Sequence, residues 1–239
     1  MPNSINKFGM VYSITNDFSM YTEYEKTSDN SLIAEEFDNK TQHFSRYNLG
    51  AKFNFNNVDL MFDTHYQKEG SEAFGLRGSG LFEINDKSSI TSTSVTTQYH
   101  INNKFSTYAL LERSESDSMN SNYIDVSGME ALSYGAGINW ESNKHAASFS
   151  VIQPPKVSGG KATFSLPIGR TNEGNVIRED REVDLSPTGR QTDIEFAYRF
   201  QKERNQQFIQ FNYLHVNEPG HIKEAKSDNA ILISWGRVF

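Results

Sequence analysis

The stretch Arg46-Tyr-Asn-Leu-Gly-Ala-Lys-Phe-Asn-Phe-Asn-Asn-Val-Asp-Leu-Met-Phe-Asp-Thr-His-Tyr-Gln67 decides the fold of this chain. Apolar and polar residues alternate in both halves, which is the pattern of β-strands with one apolar and one polar face. Asn56-Asn57 separates the halves and predicts a hairpin with a two-residue turn. The apolar face would carry Tyr47, Leu49, Ala51, Phe53, Phe55, Val58, Leu60, Phe62, Thr64 and Tyr66.

The same period of two recurs along the rest of the chain. It predicts four further hairpins, whose turns lie at residues 15–17, 102–104, 141–144 and 201–206, and a final strand that ends the sequence at Phe239. Together these make eleven strands. Each is about ten residues long, close to the ~9 to 11 residues that a tilted strand needs to cross a bilayer.

The connections between the predicted strands alternate in length. Short turns follow every other strand, and long polar loops follow the strands between. The long loops are expected near residues 27–41, 68–87, 113–129, 154–189 and 217–227. Short turns at one end of a sheet and long loops at the other are typical of bacterial outer-membrane barrels.

Composition excludes several other classes of protein. The net charge is -7, so the positive surface that nucleic-acid binding needs is missing. The chain has no run of eighteen apolar residues, which excludes a transmembrane helix, and no Cys, which excludes a disulfide framework. No export signal is visible at Met1-Pro-Asn-Ser-Ile-Asn-Lys7, so we expect that it was removed or that a longer chain precedes this part.

These patterns predict an all-β protein: a transmembrane antiparallel up-and-down β-barrel that occupies residues 1–239 and lies in the bacterial outer membrane. Bacterial single-chain barrels have an even number of strands, and eleven is odd. The missing strand is expected either before Met1 or within a loop such as Phe74 to Ile84.

Charged residues on the polar faces are candidates for the wall of a hydrated lumen. Mixed signs suit a channel that passes a chain without holding it, because no single-sign field traps the substrate. The alternative is that they form ion pairs between neighbouring strands, and both can be true. The predicted lumen-lining residues are Arg46, Lys52, Asp59, Asp63, His65, Asp193, Glu195 and Arg199.

The last strand and the aromatic residues suggest contact with lipid. Trp140, Tyr134, Tyr198 and Tyr213 are predicted to lie near the bilayer boundaries as girdle residues, together with Trp235. The remaining histidines, among them His221, show no metal-ligand spacing, so we expect surface or interface histidines and no metal. The charged loop Arg178-Glu-Asp-Arg-Glu182 is a candidate for binding lipopolysaccharide, or simply a solvated hairpin.

Short motifs in residues 153–200 resemble a known family. They include Gln153-Pro154, the stretch Ser158 to Ala162, Leu166-Pro-Ile-Gly-Arg170 and Ser186-Pro-Thr-Gly-Arg190. In this order they resemble the carboxy-terminal barrel of autotransporters whose passenger is a subtilisin-like serine protease. The resemblance implies a twelve-strand barrel that anchors in the outer membrane and helps its own amino-terminal passenger to the cell surface. It also implies that the last strand is the signal read by the barrel-assembly machinery, through Ile231, Ile233, Trp235 and Phe239.

Three functions therefore stand as hypotheses. The first is such a translocator domain, for which we expect no cofactor. We expect no enzyme activity either, because no Gly-Thr-Ser nucleophile motif and no Asp and His partners in subtilisin-like contexts are present, so any protease activity would belong to an absent passenger. Its partners would be outer-membrane lipid and lipopolysaccharide, the assembly machinery and its own passenger. The second is a free-standing outer-membrane pore or an adhesin whose long loops are the functional surface. The third is a barrel hydrolase centred on Asp63 and His65, which share one face of a strand.

Overall fold

The described residues form an antiparallel β-structure of seventeen strands. The computed structural model describes residues 4–28, 43–68, 72–74, 76–77, 88–202 and 207–237. The strands are β1 (Ser4–Ser13), β2 (Phe18–Ser28), β3 (His43–Phe55), β4 (Val58–Lys68), β5 (Glu72–Ala73), β6 (Leu76–Arg77), β7 (Ser89–His100), β8 (Phe105–Ser116), β9 (Met119–Asn120), β10 (Ile124–Val126), β11 (Glu130–Glu141), β12 (His145–Gly159), β13 (Lys161–Arg170), β14 (Val176–Asp184), β15 (Thr192–Lys202), β16 (Gln207–Asn217) and β17 (Asp228–Arg237).

Eleven of these strands form one sheet, the main sheet. Its order is β1-β2-β3-β4-β7-β8-β11-β12-β15-β16-β17, and every neighbouring pair is antiparallel. The eleven strands predicted from the sequence are therefore confirmed, and the up-and-down order with them. β1 and β17 are the two edges, and no pairing between them occurs in the described residues. Most of Phe74 to Ile84, one place suggested for a twelfth strand, lies outside the described residues.

The central hairpin has the predicted register. Phe55 pairs with Val58 on either side of the turn, and Asn56 adopts a left-handed conformation with a φ of 50°. Asn is one of the few residues that tolerates this conformation, which two-residue hairpin turns require. The sequence therefore determines this hairpin, and its register fixes which side chains share a face.

The two faces of the main sheet differ in polarity. We call one the apolar face because its described positions are dominated by aromatic and aliphatic side chains, and many of these are exposed. The opposite, polar face carries most of the charged, amide and hydroxyl side chains of the same strands. Exposed members of the apolar face are Phe8, Met10, Tyr12, Tyr47, Leu49, Phe62, Tyr99, Leu111, Tyr134, Ile138, Phe149, Val151, Phe196, Ile231, Ile233 and Trp235.

A second, four-stranded sheet lies at the end of the main sheet that has the long connections. Its order is β14-β13-β10-β9, and we call it the small sheet. It corrects the expectation of polar loops at residues 113–129 and 154–189, because β9 and β10 lie in the first region and β13 and β14 in the second. The connection at 217–227 is a loop as predicted, with one short 3-10 helix at Pro219–His221.

The small sheet has a buried apolar core. Met119 and Val126 are almost fully buried and form this core with Ile124, Met129 and Ala162. The chain enters the small sheet from β12 through Gly160, whose φ of 141° favours glycine. A Cβ at that position would also lie 2.7 Å from Cγ of Met129. The backbone of Gly160 therefore packs directly against Met129 of the core, where a side chain would not fit.

Helices contribute little to the described part of the chain. None of the helices in that part is long and apolar enough to cross a membrane.

Candidate functional site

The polar face brings all eight predicted lumen-lining residues onto one side of the main sheet. Gly50 pairs with Asp63, and the positions two residues away on each strand alternate in step with this pair. The ladder through β12 and β15 continues the same alternation to Asp193, Glu195 and Arg199. Their common face is thus a structural fact, whereas their role in lining a lumen stays a prediction.

The middle of the polar face is built around Asp63. The hydroxyl of Tyr21 on β2 donates a hydrogen bond to the carboxylate of Asp63 on β4, across the intervening strand β3. Gly50 lies between them, and a Cβ at Gly50 would come within 2.3 Å of the Tyr21 ring. Glycine at position 50 therefore lets the ring lie flat over the strand. Neither Tyr21 nor Gly50 was recognised from the sequence, because period-two patterning does not show which opposite residues interact.

Towards the short turns the polar face carries a cross-strand ion pair. Nζ of Lys52 lies 3.1 Å from a carboxylate oxygen of Asp59. Nε2 of His100, on the next strand, lies 3.4 Å from the same oxygen. Ion pairing between neighbouring strands, one of the two alternatives for this face, is therefore present at Lys52 and Asp59.

Towards the long connections the polar face is held by further polar contacts. Nη2 and Nε of Arg46 donate to Oε1 of Gln67 over 2.7 and 3.1 Å. Lys7 and Glu23 form an ion pair of 2.8 Å between β1 and β2. Positive and negative groups alternate over this part of the face, so it has no field of a single sign.

The second half of the sheet carries fewer charges on its polar face. Asp193 accepts a hydrogen bond of 2.8 Å from the amide of Gln191. The guanidinium of Arg199 donates to Gln201 and lies 4.6 Å from the centre of the Phe208 ring. Glu195 and Arg199 are both exposed.

The geometry around Asp63 bears on the hydrolase hypothesis. Asp63 and His65 share a face as predicted, but no hydrogen bond joins them in the described strands. Asp63 instead receives the hydroxyl of Tyr21. Because a catalytic triad joins its histidine to a carboxylate by a hydrogen bond, the pair Asp63 and His65 lacks the contact of a triad in the described residues.

Two bands of aromatic side chains flank the apolar face. The band nearer the long connections has Tyr24, Tyr47 and Tyr66 side by side, and the Tyr24 and Tyr47 ring centres are 4.8 Å apart. The band nearer the short turns runs from Phe105 through Trp140 to His145, with ring centres 6.5 and 6.2 Å apart. His145 also bonds to the Tyr198 hydroxyl over 2.6 Å.

At the end with the long connections lies a tight contact that we call the clasp, formed by residues 188–191, 218–223 and Pro155. A Cβ at Gly189 would lie 2.4 Å from the Lys223 nitrogen, so these two backbones approach too closely for any side chain. Carboxylate oxygens of Glu218 accept hydrogen bonds from the backbone nitrogens of Arg190 (2.7 Å) and Glu224 (3.4 Å). The Arg190 guanidinium in turn donates to the Tyr134 hydroxyl over 2.9 Å.

His221 is the centre of the clasp. Its Nδ1 accepts a hydrogen bond of 2.9 Å from the Gln191 backbone nitrogen, so its Nε2 carries the proton and donates to the Pro155 carbonyl over 3.0 Å. Burial lowers the pKa of His221, partly offset by the bond to Pro155. Of the two expectations for His221, a surface position is wrong because the residue is buried between segments far apart in the chain, contacts that the sequence does not reveal.

Two of the motifs that resemble autotransporter barrels have residues in or next to the clasp. Gln153 is buried and donates to the Leu132 carbonyl over 3.2 Å, and Gly189 and Arg190 belong to the clasp. Arg178, in the stretch suggested to bind lipopolysaccharide, stacks 4.7 Å from the Tyr123 ring as part of β14. The contacts of Gln153, Arg190 and Arg178 are therefore packing contacts within the protein.

The predicted assembly signal is described in part. Ile231, Ile233 and Trp235 lie on the apolar face of β17 and are about two-thirds exposed (65%, 68% and 67%). Phe239 lies outside the described residues. Within the described ranges, no three His, Asp or Glu side chains lie close enough together to hold a metal ion.

Comparisons with known proteins give little support to a family assignment. No protein-family model matches the sequence, and no curated protein matches it. Among solved structures, the ferric-catecholate import receptor Fiu from E. coli K12 is similar, with 10% sequence identity and a TM-score of 0.39. The similarity covers 98% of this chain, which spans about half of that structure (48%). A likeness at this level does not establish a shared function.

Proposed function

We propose that this chain is a bacterial outer-membrane β-barrel and that it acts as the translocator domain of an autotransporter. The observation that carries the first part is the inverted polarity of the main sheet. Large apolar side chains such as Leu49, Phe62 and Ile233 are exposed on one face, while ion pairs and amide contacts cover the other. Such a sheet is stable when lipid covers its apolar face and water its polar face.

The aromatic bands support a bilayer around the apolar face. Tyr47, in the band nearer the long connections, and Phe55, beside a short turn, lie eight residues apart on β3, which corresponds to about 26 Å along a strand. This separation is comparable to the ~25 Å apolar band of outer-membrane barrels, which aromatic girdles flank. Aliphatic side chains, among them Ile138, fill the space between the bands.

Edge pairing would complete the barrel. With an odd number of strands, β1 and β17 run in the same direction, so one additional strand between them would be antiparallel to both. A twelfth strand would satisfy the free backbone groups of both edges, which cannot face lipid unpaired. The autotransporter resemblance implies the same number of strands.

The translocator assignment rests on the motif resemblance and on the mixed charge of the polar face. Cross-strand pairs such as Lys52–Asp59 hold their charges against each other, so a passing polypeptide meets no strong field of one sign. Gly189 and Arg190, from one of the motifs, form part of the clasp, and Gln153, from another, lies two residues before Pro155 of the clasp.

Surface display of a passenger tests this proposal. An export signal and a small reporter domain would be fused to the amino terminus, and the protein expressed in a Gram-negative host. The proposal predicts that protease added to intact cells degrades the reporter. The matched control is the same fusion with Phe62→Arg, which should block insertion and leave the reporter protected. A barrel that inserts normally while the reporter stays in the periplasm would contradict export, but not the barrel.

A free-standing pore or adhesin is the second candidate, and the small sheet favours it. The small sheet is an ordered unit with a buried core around Met119. It gives the end with the long connections a larger surface than is needed merely to connect the strands. Steady conductance of the purified barrel in a planar bilayer would favour an open pore, whereas a translocator filled by its own passenger segment predicts low conductance.

A further inference from the structure

β14 presents an open edge of the small sheet. β13 covers one side of β14, and among the described residues no strand covers its other side. All nine residues of β14 are exposed except Glu179, which is half-buried. An open edge offers a row of unpaired backbone donors and acceptors to another strand.

The direction of the backbone groups on this edge follows from the hydrogen bonds at the two ends of β14. Just before it, the carbonyl of Asn175 accepts from Thr171, and just after it, the nitrogen of Leu185 donates to Gly160. Odd-numbered residues therefore point to β13. Because the direction alternates along an antiparallel strand, the even-numbered residues between Val176 and Asp184 direct their backbone groups to the open edge.

The sequence of β14 is complementary to itself when it is read in the opposite direction. With Asp180 placed opposite Asp180 of a second copy, each remaining charge from 178 to 182 meets an opposite charge, and two apolar residues meet. The pairs are Arg178 with Glu182, Glu179 with Arg181, and Ile177 with Val183. Opposite charges directly across a strand pair stabilise it, and like charges destabilise it.

We propose that β14 is a self-association edge, on which a second copy of this chain adds its own β14 as an antiparallel strand about a twofold axis at Asp180. In this register the even-numbered residues face each other with their free backbone groups, as hydrogen-bonded pairing requires. Glu179 and Arg181, which form an ion pair of 2.6 Å within one copy, join the same pair of the partner into a four-membered network.

Charges on an edge strand often serve to prevent association with another strand. The charge pattern of β14 decides whether its edge prevents or promotes self-association. A guarding edge brings like charges together when it meets its own copy. Twofold registers centred on the neighbouring even positions would place Arg178 opposite Arg178 or Glu182 opposite Glu182. In the proposed register only Asp180 faces its own kind, and Arg178 of each copy lies diagonally across from it.

Cysteine cross-linking tests the pairing, because the natural chain has no Cys. In the proposed dimer the two Cα atoms at position 180 are about 5.5 Å apart, within the range that a disulfide spans. Asp180→Cys, purified in detergent and mildly oxidised, should form a disulfide-linked dimer. Asn172→Cys, at the exposed tip of the same hairpin, is the control and should remain monomeric.

The register is tested by mixing two variants. Ile177→Cys alone and Val183→Cys alone should each stay monomeric. In the proposed dimer the two cysteines of either variant lie about 20 Å apart along the strands. Mixed together, they should form a linked heterodimer. Equal cross-linking at positions 172, 177, 180 and 183 would indicate random collision and overturn the proposal. So would an Asp180→Cys variant that reacts with a maleimide but forms no dimer.

Charge exchange provides the second arm of the test. Arg181→Glu, in the Asp180→Cys background, places like charges opposite each other and should abolish the linked dimer. Glu179→Arg combined with Arg181→Glu restores opposite pairing in the dimer and should restore cross-linking. Cross-linking that is unaffected by the single charge reversal would also contradict the assigned pairing.

Discussion

The main sheet and the small sheet of this chain follow opposite rules for apolar side chains. In the small sheet Met119 and Val126 are buried almost completely, as in a protein surrounded by water. In the main sheet, residues such as Leu49 and Ile233 are exposed, and polar contacts lie on the other face. This difference is the one that the proposed outer-membrane barrel requires, with water around the small sheet and lipid on the apolar face of the main sheet.

The largest effect is expected from Met119→Ala in the small sheet. Met119 has no exposed surface, so its truncation leaves a cavity and should destabilise the small sheet by about 2 to 5 kcal/mol. Limited proteolysis should then cut within residues 117–129, while the main sheet still resists unfolding. Exposed Met10, changed to Ala, is the control and should leave the small sheet intact. Loss of both sheets together would show that they form one cooperative unit.

A charge on the apolar face tests the opposite rule in the main sheet. Phe62→Arg should destabilise the inserted protein by about 2 to 4 kcal/mol, the range for Arg near the bilayer midplane. Met61→Arg is the matched control, since Met61 neighbours Phe62 but lies on the polar face beside Asp59 and Asp63. Urea unfolding in lipid vesicles measures both variants. Equal destabilisation would remove the distinction between the faces.

Two motif glycines allow a sharper test of the clasp. Gly189→Ala forces two backbones apart and should cost about 1 to 3 kcal/mol of local stability. Gly169 belongs to a Pro-x-Gly-Arg motif with the same spacing. In Gly169→Ala, however, the nearest neighbour of the new Cβ would lie at an ordinary distance of 4.0 Å. Protease sensitivity of residues 217–227 should rise only for Gly189→Ala. A rise for both variants would mean that the motif, and not the close approach, controls the clasp.

The smallest effect expected is a pH dependence of the clasp. Burial lowers the pKa of His221 below its usual value of about 6.5, so the unfolded segment binds a proton more readily than the folded one. Stability is therefore full above this value and decreases as the pH falls through it, until the pKa of the folded state is passed. Protonation of His221 Nδ1 would also break its hydrogen bond with Gln191, because a protonated Nδ1 can no longer accept from the Gln191 backbone N–H.

Hydrogen exchange of the Gln191 amide measures this pH dependence. After correction for the intrinsic exchange rate, protection should be lower at pH 5 than at pH 8. His221→Gln cannot ionise, and its protection should be constant between these values. A wild-type amide whose protection does not change would contradict the buried, neutral histidine.

Much of the main sheet could be predicted because its signals are local. The period-two pattern around Asn56-Asn57 gave the strands, the turn and both faces, and the structure confirms them. The predicted ends of the strands at the short turns were also close to the observed ones, since each short turn carries polar or turn-forming residues. The face of every predicted lumen residue follows from this alternation alone.

The small sheet and the clasp could not be predicted for a physical reason. β9 and β10 have two and three residues, too few to show a period, and β14 has charges on both faces. The clasp joins Gly189 to Lys223 and His221 to Pro155, contacts between segments far apart in the chain. Such contacts depend on how the strands are arranged, and no local pattern encodes them.

The most direct test of the central claim is the environment of consecutive residues on β4. Single cysteines at positions 60 to 65 would carry a spin label in lipid vesicles, and relaxation by dissolved oxygen and by a water-soluble nickel complex would be compared. Two opposite faces predict a period of two, with Leu60, Phe62 and Thr64 in lipid and Met61, Asp63 and His65 in water. Labels that are uniformly accessible to nickel, or an inverted pattern, would contradict the account.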